Sequence, residues 1–169
     1  LEESDERFMR SIEEKIDTLE IKTQGNIPLL LVVLQGNLEE KIKKIHGHTE
    51  LSLDKIKRGT QTSTNPFSVL LDVEDGEKMV AKSPSDALKK FWKEGRYALD
   101  VHESIALLTH YPALFKNHYF ISAGSFYEKE NDKLPLLWLL DEHQNPELHY
   151  AWFDIAHGSY GAGSYATKI

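Results

Sequence analysis

The sequence predicts an α+β fold: a mainly antiparallel sheet of about five or six strands, with helices packed mostly on one face. Two patterns lead there. Short runs with apolar residues at every second position recur along the chain, the period of a strand with one buried face. Between them lie segments with apolar residues three and four apart, opened by capping residues, the period of amphipathic helices. At 169 residues the chain reads as a single domain, residues 1–169, with room for a sizeable core.

The clearest strand pair is near the end. Leu134-Pro135-Leu136-Leu137-Trp138-Leu139-Leu140 is an unbroken apolar run suited to a strand buried on both faces. A polar turn over Asp141–Pro146 follows, and Leu148, Tyr150 and Trp152 then alternate with polar or small residues. This is a predicted β-hairpin at the centre of the fold.

From the start of the chain, Phe8, Ile12, Ile16 and Leu19 form one stripe of a helix over residues 4–20, with Ser4 as its cap. Gln24-Gly25-Asn26 ends that pattern, and Ile27–Leu34 reads as a buried strand, with Pro28 tolerated at its start. Asn37 and Glu40 form a capping pair for a short helix carrying Leu38, Ile42 and Ile45, ending at Gly47. His46 and His48 flank that glycine. Two histidines make a poor zinc site without two further ligands, so they read as a solvated helix end.

Arg58–Pro66 is polar and loop-like, and Phe67–Val73 alternates as a strand. Asp75-Gly76 is a hairpin-turn signal, with Met79-Val80-Ala81 predicted to return as a strand. Ser83-Pro84-Ser85-Asp86 is the strongest local signal: a cap, a proline at the first helical position, and an acid at the third. Ala87, Leu88, Phe91 and Trp92 then form a predicted buried stripe, and Gly95 ends the helix. Asp100 and Glu103 repeat the capping logic for a helix that Pro112 ends, leaving His110 near its C-terminus. Tyr119–Ile121 begins another strand, interrupted at Gly124-Ser125. The tail, Asp154–Tyr165, has neither period and reads as an ordered loop closing over the sheet.

Composition removes several chemistries. With no Cys there is no disulfide, thiolate nucleophile or Cys-based zinc site. The net charge of −7 argues against non-specific nucleic-acid binding. The longest apolar runs fall far short of the ~20 residues a membrane helix needs, and the acidic start is unlike a signal peptide.

The order of several blocks carries a resemblance. Asp72-Val73-Glu74-Asp75-Gly76, Gly95-Arg96, Thr109-His110-Tyr111-Pro112, Lys116-Asn117-His118, Gly124-Ser125 and Leu134–Leu139 together resemble an uncharacterised family of small bacterial proteins, a domain of unknown function. Thr-His-Tyr-Pro is its most specific block. The resemblance implies a bacterial, cytoplasmic protein and no activity to carry over. The tail departs from the family pattern, which is richer in Trp there and often holds a Cys.

The expected function is therefore a non-enzymatic domain binding a partner protein or a small-molecule ligand through the face near the tail. His118, Tyr160 and Ser164 are its candidate ligand-binding residues. The rival is a hydrolase-type enzyme built on His157, Asp154 and His110. A Ser-His-Asp set can be drawn with Ser164 or Ser125, but the Gly-x-Ser-x-Gly elbow is absent. Glycine-rich Gly158–Ser164 resembles a phosphate loop only in composition, because no helix follows it. No metal and no cofactor is expected. A homo-dimer fits the same sequence, and Trp92 and Trp138 read as core residues.

Overall fold

The structure is a computed structural model that describes residues 26–34, 36–59, 67–130, 132–140 and 145–169, together with Arg7, Arg10 and Glu14. The helix predicted over residues 4–20 lies outside the described residues, apart from those three, whose backbone is helical. The α+β class holds, with three α-helices and ten strands among the described residues and antiparallel pairing dominant. The strands form three sheets instead of a single sheet of five or six.

The first sheet contains β1 (Ile27–Val33), β3 (Phe67–Glu74), β10 (Ser164–Lys168) and β4 (Tyr97–Ala98), in the order β1-β3-β10-β4. Every pairing in it is antiparallel. A two-stranded sheet joins β2 (Ile56–Arg58) to β6 (Ser125–Tyr127). The third sheet has the order β8-β7-β5-β9, from β5 (Tyr119–Ile121), β7 (Lys133–Leu140), β8 (Asn145–Trp152) and β9 (Tyr160–Ala162). Its β7–β8 hairpin matches the sequence-predicted one, with Leu137 opposite Leu148. Its β5–β9 pairing is parallel.

Helices flank both faces of that third sheet, not mostly one. On one face Phe120, Leu137 and Leu148 share a core with Leu38 and Ile42 of α1 (Leu38–Lys44) and Ile105 and Leu108 of α3 (Val101–His110). On the other, Ile121, Leu134, Leu136, Ala151 and Ala162 pack with Ala87 and Phe91 of α2 (Pro84–Glu94). Adjacent residues Leu136 and Leu137 thus feed different cores, the arrangement that an unbroken apolar run requires.

The predicted caps at Asn37, Ser83 and Asp100 all form, the Asn37 side chain accepting from the Glu40 N–H at 2.8 Å. The Ser83 side chain accepts from the Asp86 N–H, and Gly95 closes α2 in the left-handed conformation with φ 66°. Asp100 and Glu103 make a reciprocal capping box at the start of α3. Other expectations fail for tertiary reasons. β1 buries only Leu30 and Val32, because one of its faces is uncovered; Leu29, Leu31 and Val33 on that face are exposed. Gly76, at φ 98°, leads into a single 3-10 turn over Glu77–Met79, so no strand returns there. The tail supplies β9 and β10 instead of a loop. Trp92 is 83% exposed, whereas Phe91 beside it is 1% exposed. The step of about 100° per helical residue carries Trp92 off the buried line of Pro84, Ala87 and Phe91. Trp138 is half-buried.

Candidate functional site

A row of rings crosses the third sheet. In β5, β7, β8 and β9, the residues two positions from Ile121, Leu136, Ala151 and Ala162 point to the same face, by the period of two. Those positions are Tyr119, Trp138, His149 and Tyr160, so each of the four strands contributes one ring. Ring centroids are 6.1 Å apart for Tyr160 and Tyr119, 6.5 Å for Tyr119 and Trp138, and 5.1 Å for Trp138 and His149. All four side chains are half-buried, α2 covering the neighbouring apolar positions and the row lying one pleat beyond it.

The row has polar edges. Trp138 Nε1 donates to Glu147 Oε2 at 2.8 Å, directly across the β7–β8 ladder. His157 stacks on Tyr160 at 4.0 Å, with its Nδ1 accepting from the Ser159 N–H at 3.3 Å. Burial raises the Tyr160 phenol above its ordinary pKa, with Tyr119 adding to the effect, so it remains a hydrogen-bond donor at neutral pH. Beyond His149 the rings continue round the edge strand to Tyr150 and Trp152, where Lys133 Nζ lies 4.7 Å and 5.2 Å from the two ring centroids.

A second polar region surrounds α3. Asp100 and Glu103 are wholly buried; Arg58 pairs with Asp100, and Lys168 with Glu103 at 2.7 Å. Burial, then the neighbouring Asp100, pushes the Glu103 carboxyl upward, opposed by Lys168. Next to this cluster Lys41 Nζ lies 2.6 Å from the Val33 carbonyl oxygen and 3.1 Å from His102 Nδ1. A third ion pair joins Arg96 to Asp72, at 2.6 Å, and holds β3 to the start of β4.

The structure places the residues singled out in the sequence in different environments. Tyr160 and His157 join the aromatic row. His118 is buried, its Nδ1 2.9 Å from the Tyr119 carbonyl, which makes that nitrogen the protonated one. Ser164 is fully buried and its Oγ accepts from Arg96 Nε at 2.9 Å; Ser125 Oγ accepts from the Val101 N–H at 3.0 Å. Asp154 lies exposed in the turn after β8, and no hydrogen bond joins it to His157 or His110 among the described residues. His110 lines a cavity between α1 and α3 with Lys41 and His102. The described residues contain no group of three or more His, Asp or Glu that could hold a metal ion. No helix among them is long and apolar enough to cross a membrane.

Sequence reasoning missed Tyr119, Trp138 and His149 as one set, because their adjacency depends on strand order. The only signal was that each stands two residues from a buried neighbour.

A family model matches residues 2–169 and describes a family of unknown function. The chain belongs to that family, DUF5701. No curated protein and no solved structure matches the chain.

Proposed function

We propose that this chain is a non-enzymatic binding domain that holds a neutral oligosaccharide across the row of Tyr160, Tyr119, Trp138 and His149. The observation that carries the reading is the one-ring-per-strand arrangement. Adjacent strands lie about 4.8 Å apart, so four of them span about 14 Å. That advance suits successive pyranose units meeting successive rings, by face or by edge, since Tyr119 stands at 77° to Trp138 and 55° to Tyr160. Hydroxyl groups at the edge meet the Glu147 carboxylate, the tyrosine hydroxyls and His157. Charge favours a neutral ligand over a nucleic-acid strand: stacked bases would bring phosphates that need cations, and the chain's net charge is −7.

The direct test is titration of intrinsic tryptophan fluorescence with β-linked tetrasaccharides of glucose and of N-acetylglucosamine, alongside Tyr119→Ala and Trp138→Ala variants followed by calorimetry. Binding to the native chain is expected to weaken roughly threefold to tenfold per ring removed, the worth of one aromatic contact. No heat and no fluorescence change with any tetrasaccharide at millimolar concentration refutes the ligand class. Binding that survives both variants refutes the site.

A further inference from the structure

We propose that Lys41 is a nucleophilic amine that condenses with a small aldehyde or 2-oxo acid in the cavity between α1 and α3. The cavity, of about 100 Å³, is walled by Leu31, Val33, Ile105 and Ala106 and carries Lys41, Lys44, His102 and His110. It is separate from the aromatic row and does not depend on what that row binds.

The hydrogen bonds around Lys41 fit a neutral amine. Its nitrogen has two acceptors, the Val33 carbonyl oxygen and His102 Nδ1, and no carboxylate bonds it among the described residues. An amine donates one N–H to each and turns its lone pair toward the cavity, the direction an ammonium's third N–H would take. Only 7% of Lys41 is exposed, and burial lowers its pKa, with Arg58 and Lys44 acting in the same direction and Asp100 against. Burial, the largest cause, lowers the His102 pKa to about 4, so the ring is neutral at pH 7 and accepts the amine's hydrogen bond. A lysine desolvated in an apolar pocket beside other cations is the environment that activates amines toward carbonyl carbon. Lys43, one turn face away, is the contrast: it is exposed and its pKa is raised by its hydrogen bond to Glu39 at 2.7 Å.

The step balances without an oxidant or reductant. The lysine lone pair forms the C–N bond while the carbonyl π pair moves to oxygen. His102 Nδ1 takes a proton from nitrogen and passes it to the neighbouring oxygen, once on addition and again for the dehydration. Water then leaves as the C=N bond forms. Lys44 at the cavity wall supplies the countercharge for the carboxylate of a 2-oxo acid.

The test uses the whole chain with glyoxylate and cyanoborohydride, which reduces the imine to a stable secondary amine, and maps labelled lysines by peptide mass spectrometry across a pH series. Lys41 is expected to label first at neutral pH, since each pKa unit of lowering raises the neutral-amine fraction about tenfold. Its pH midpoint is expected to fall below that of Lys43. Labelling that follows exposure, with Lys43 and Lys44 modified and Lys41 bare, overturns the proposal. So does a Lys41 midpoint equal to that of the surface lysines.

Discussion

Truncating Phe91 and Trp92 to alanine, one at a time, tests how α2 is seated. The two residues are adjacent and both large, yet the structure leaves 1% of one and 83% of the other exposed. Phe91 packs with Ala87, Ile121, Leu136 and Ala151, so Phe91→Ala removes a ring from a closed core and leaves a void. Such changes cost about 3–5 kcal/mol. Total stability for a domain is about 5–15 kcal/mol, so the variant remains folded but marginal. With a urea slope near 2 kcal/mol/M, the midpoint should fall by about 2 M. Trp92→Ala removes a side chain that is mostly in water and introduces the best helix former, so its midpoint should move by no more than the equivalent of about 0.5 kcal/mol. Equilibrium urea unfolding followed by far-ultraviolet circular dichroism is the suitable assay, because the second variant deletes a fluorophore. A Trp92→Ala cost above about 1.5 kcal/mol, or a Phe91→Ala cost below about 1 kcal/mol, refutes the seating of the helix.

Two further predictions rest on single sites. A Cβ at Gly161 would lie 2.4 Å from the Gly76 carbonyl oxygen and 3.0 Å from His118 Nδ1, so Gly161→Ala must push β9 away from the turn; a midpoint loss worth at least about 2 kcal/mol is expected in urea, and an unchanged midpoint counts against that close approach. His102 has its folded pKa lowered from 6.5 to about 4, so between those values the unfolded chain binds more protons. Its contribution is complete above about pH 6.5 and is lost as pH falls through 4, for a total of about 3 kcal/mol. The difference in stability between the native chain and His102→Asn should therefore shrink by that order across this window, and parallel stability–pH curves would show that His102 titrates normally.

What the sequence revealed of this fold depended on how far apart the interacting residues lie. The caps at Ser83 and Asp100 were legible because each involves a residue and its third neighbour. The Leu134–Leu140 strand was legible because burial on both faces leaves its mark in a single run. β9 and β10 look like a loop in the sequence because Gly161, Gly163 and Ser164 hide any alternation, and their partners lie far off: Tyr119 for Tyr160, Glu74 for Ser164. Trp92 reads as core in the sequence because helical periodicity gives the apolar side of a helix but not which line of it the sheet receives. Of the candidate site residues, Tyr160 and His157 lie in the aromatic row. Lys41 and His102, 61 positions apart, carried no sequence signal of their meeting.

The position of β10 has a consequence for the order of assembly. It lies between β3 and β4 in the first sheet, hydrogen-bonded to both. During vectorial synthesis residues 164–168 emerge long after β3, whose edge must wait without its partner while some ninety intervening positions are made. A waiting β3 edge is a template for a stray strand. The polypeptide therefore reaches its native sheet by a late insertion, and a ribosome that stalls before residue 164 would release a chain with an open slot at the centre of that sheet.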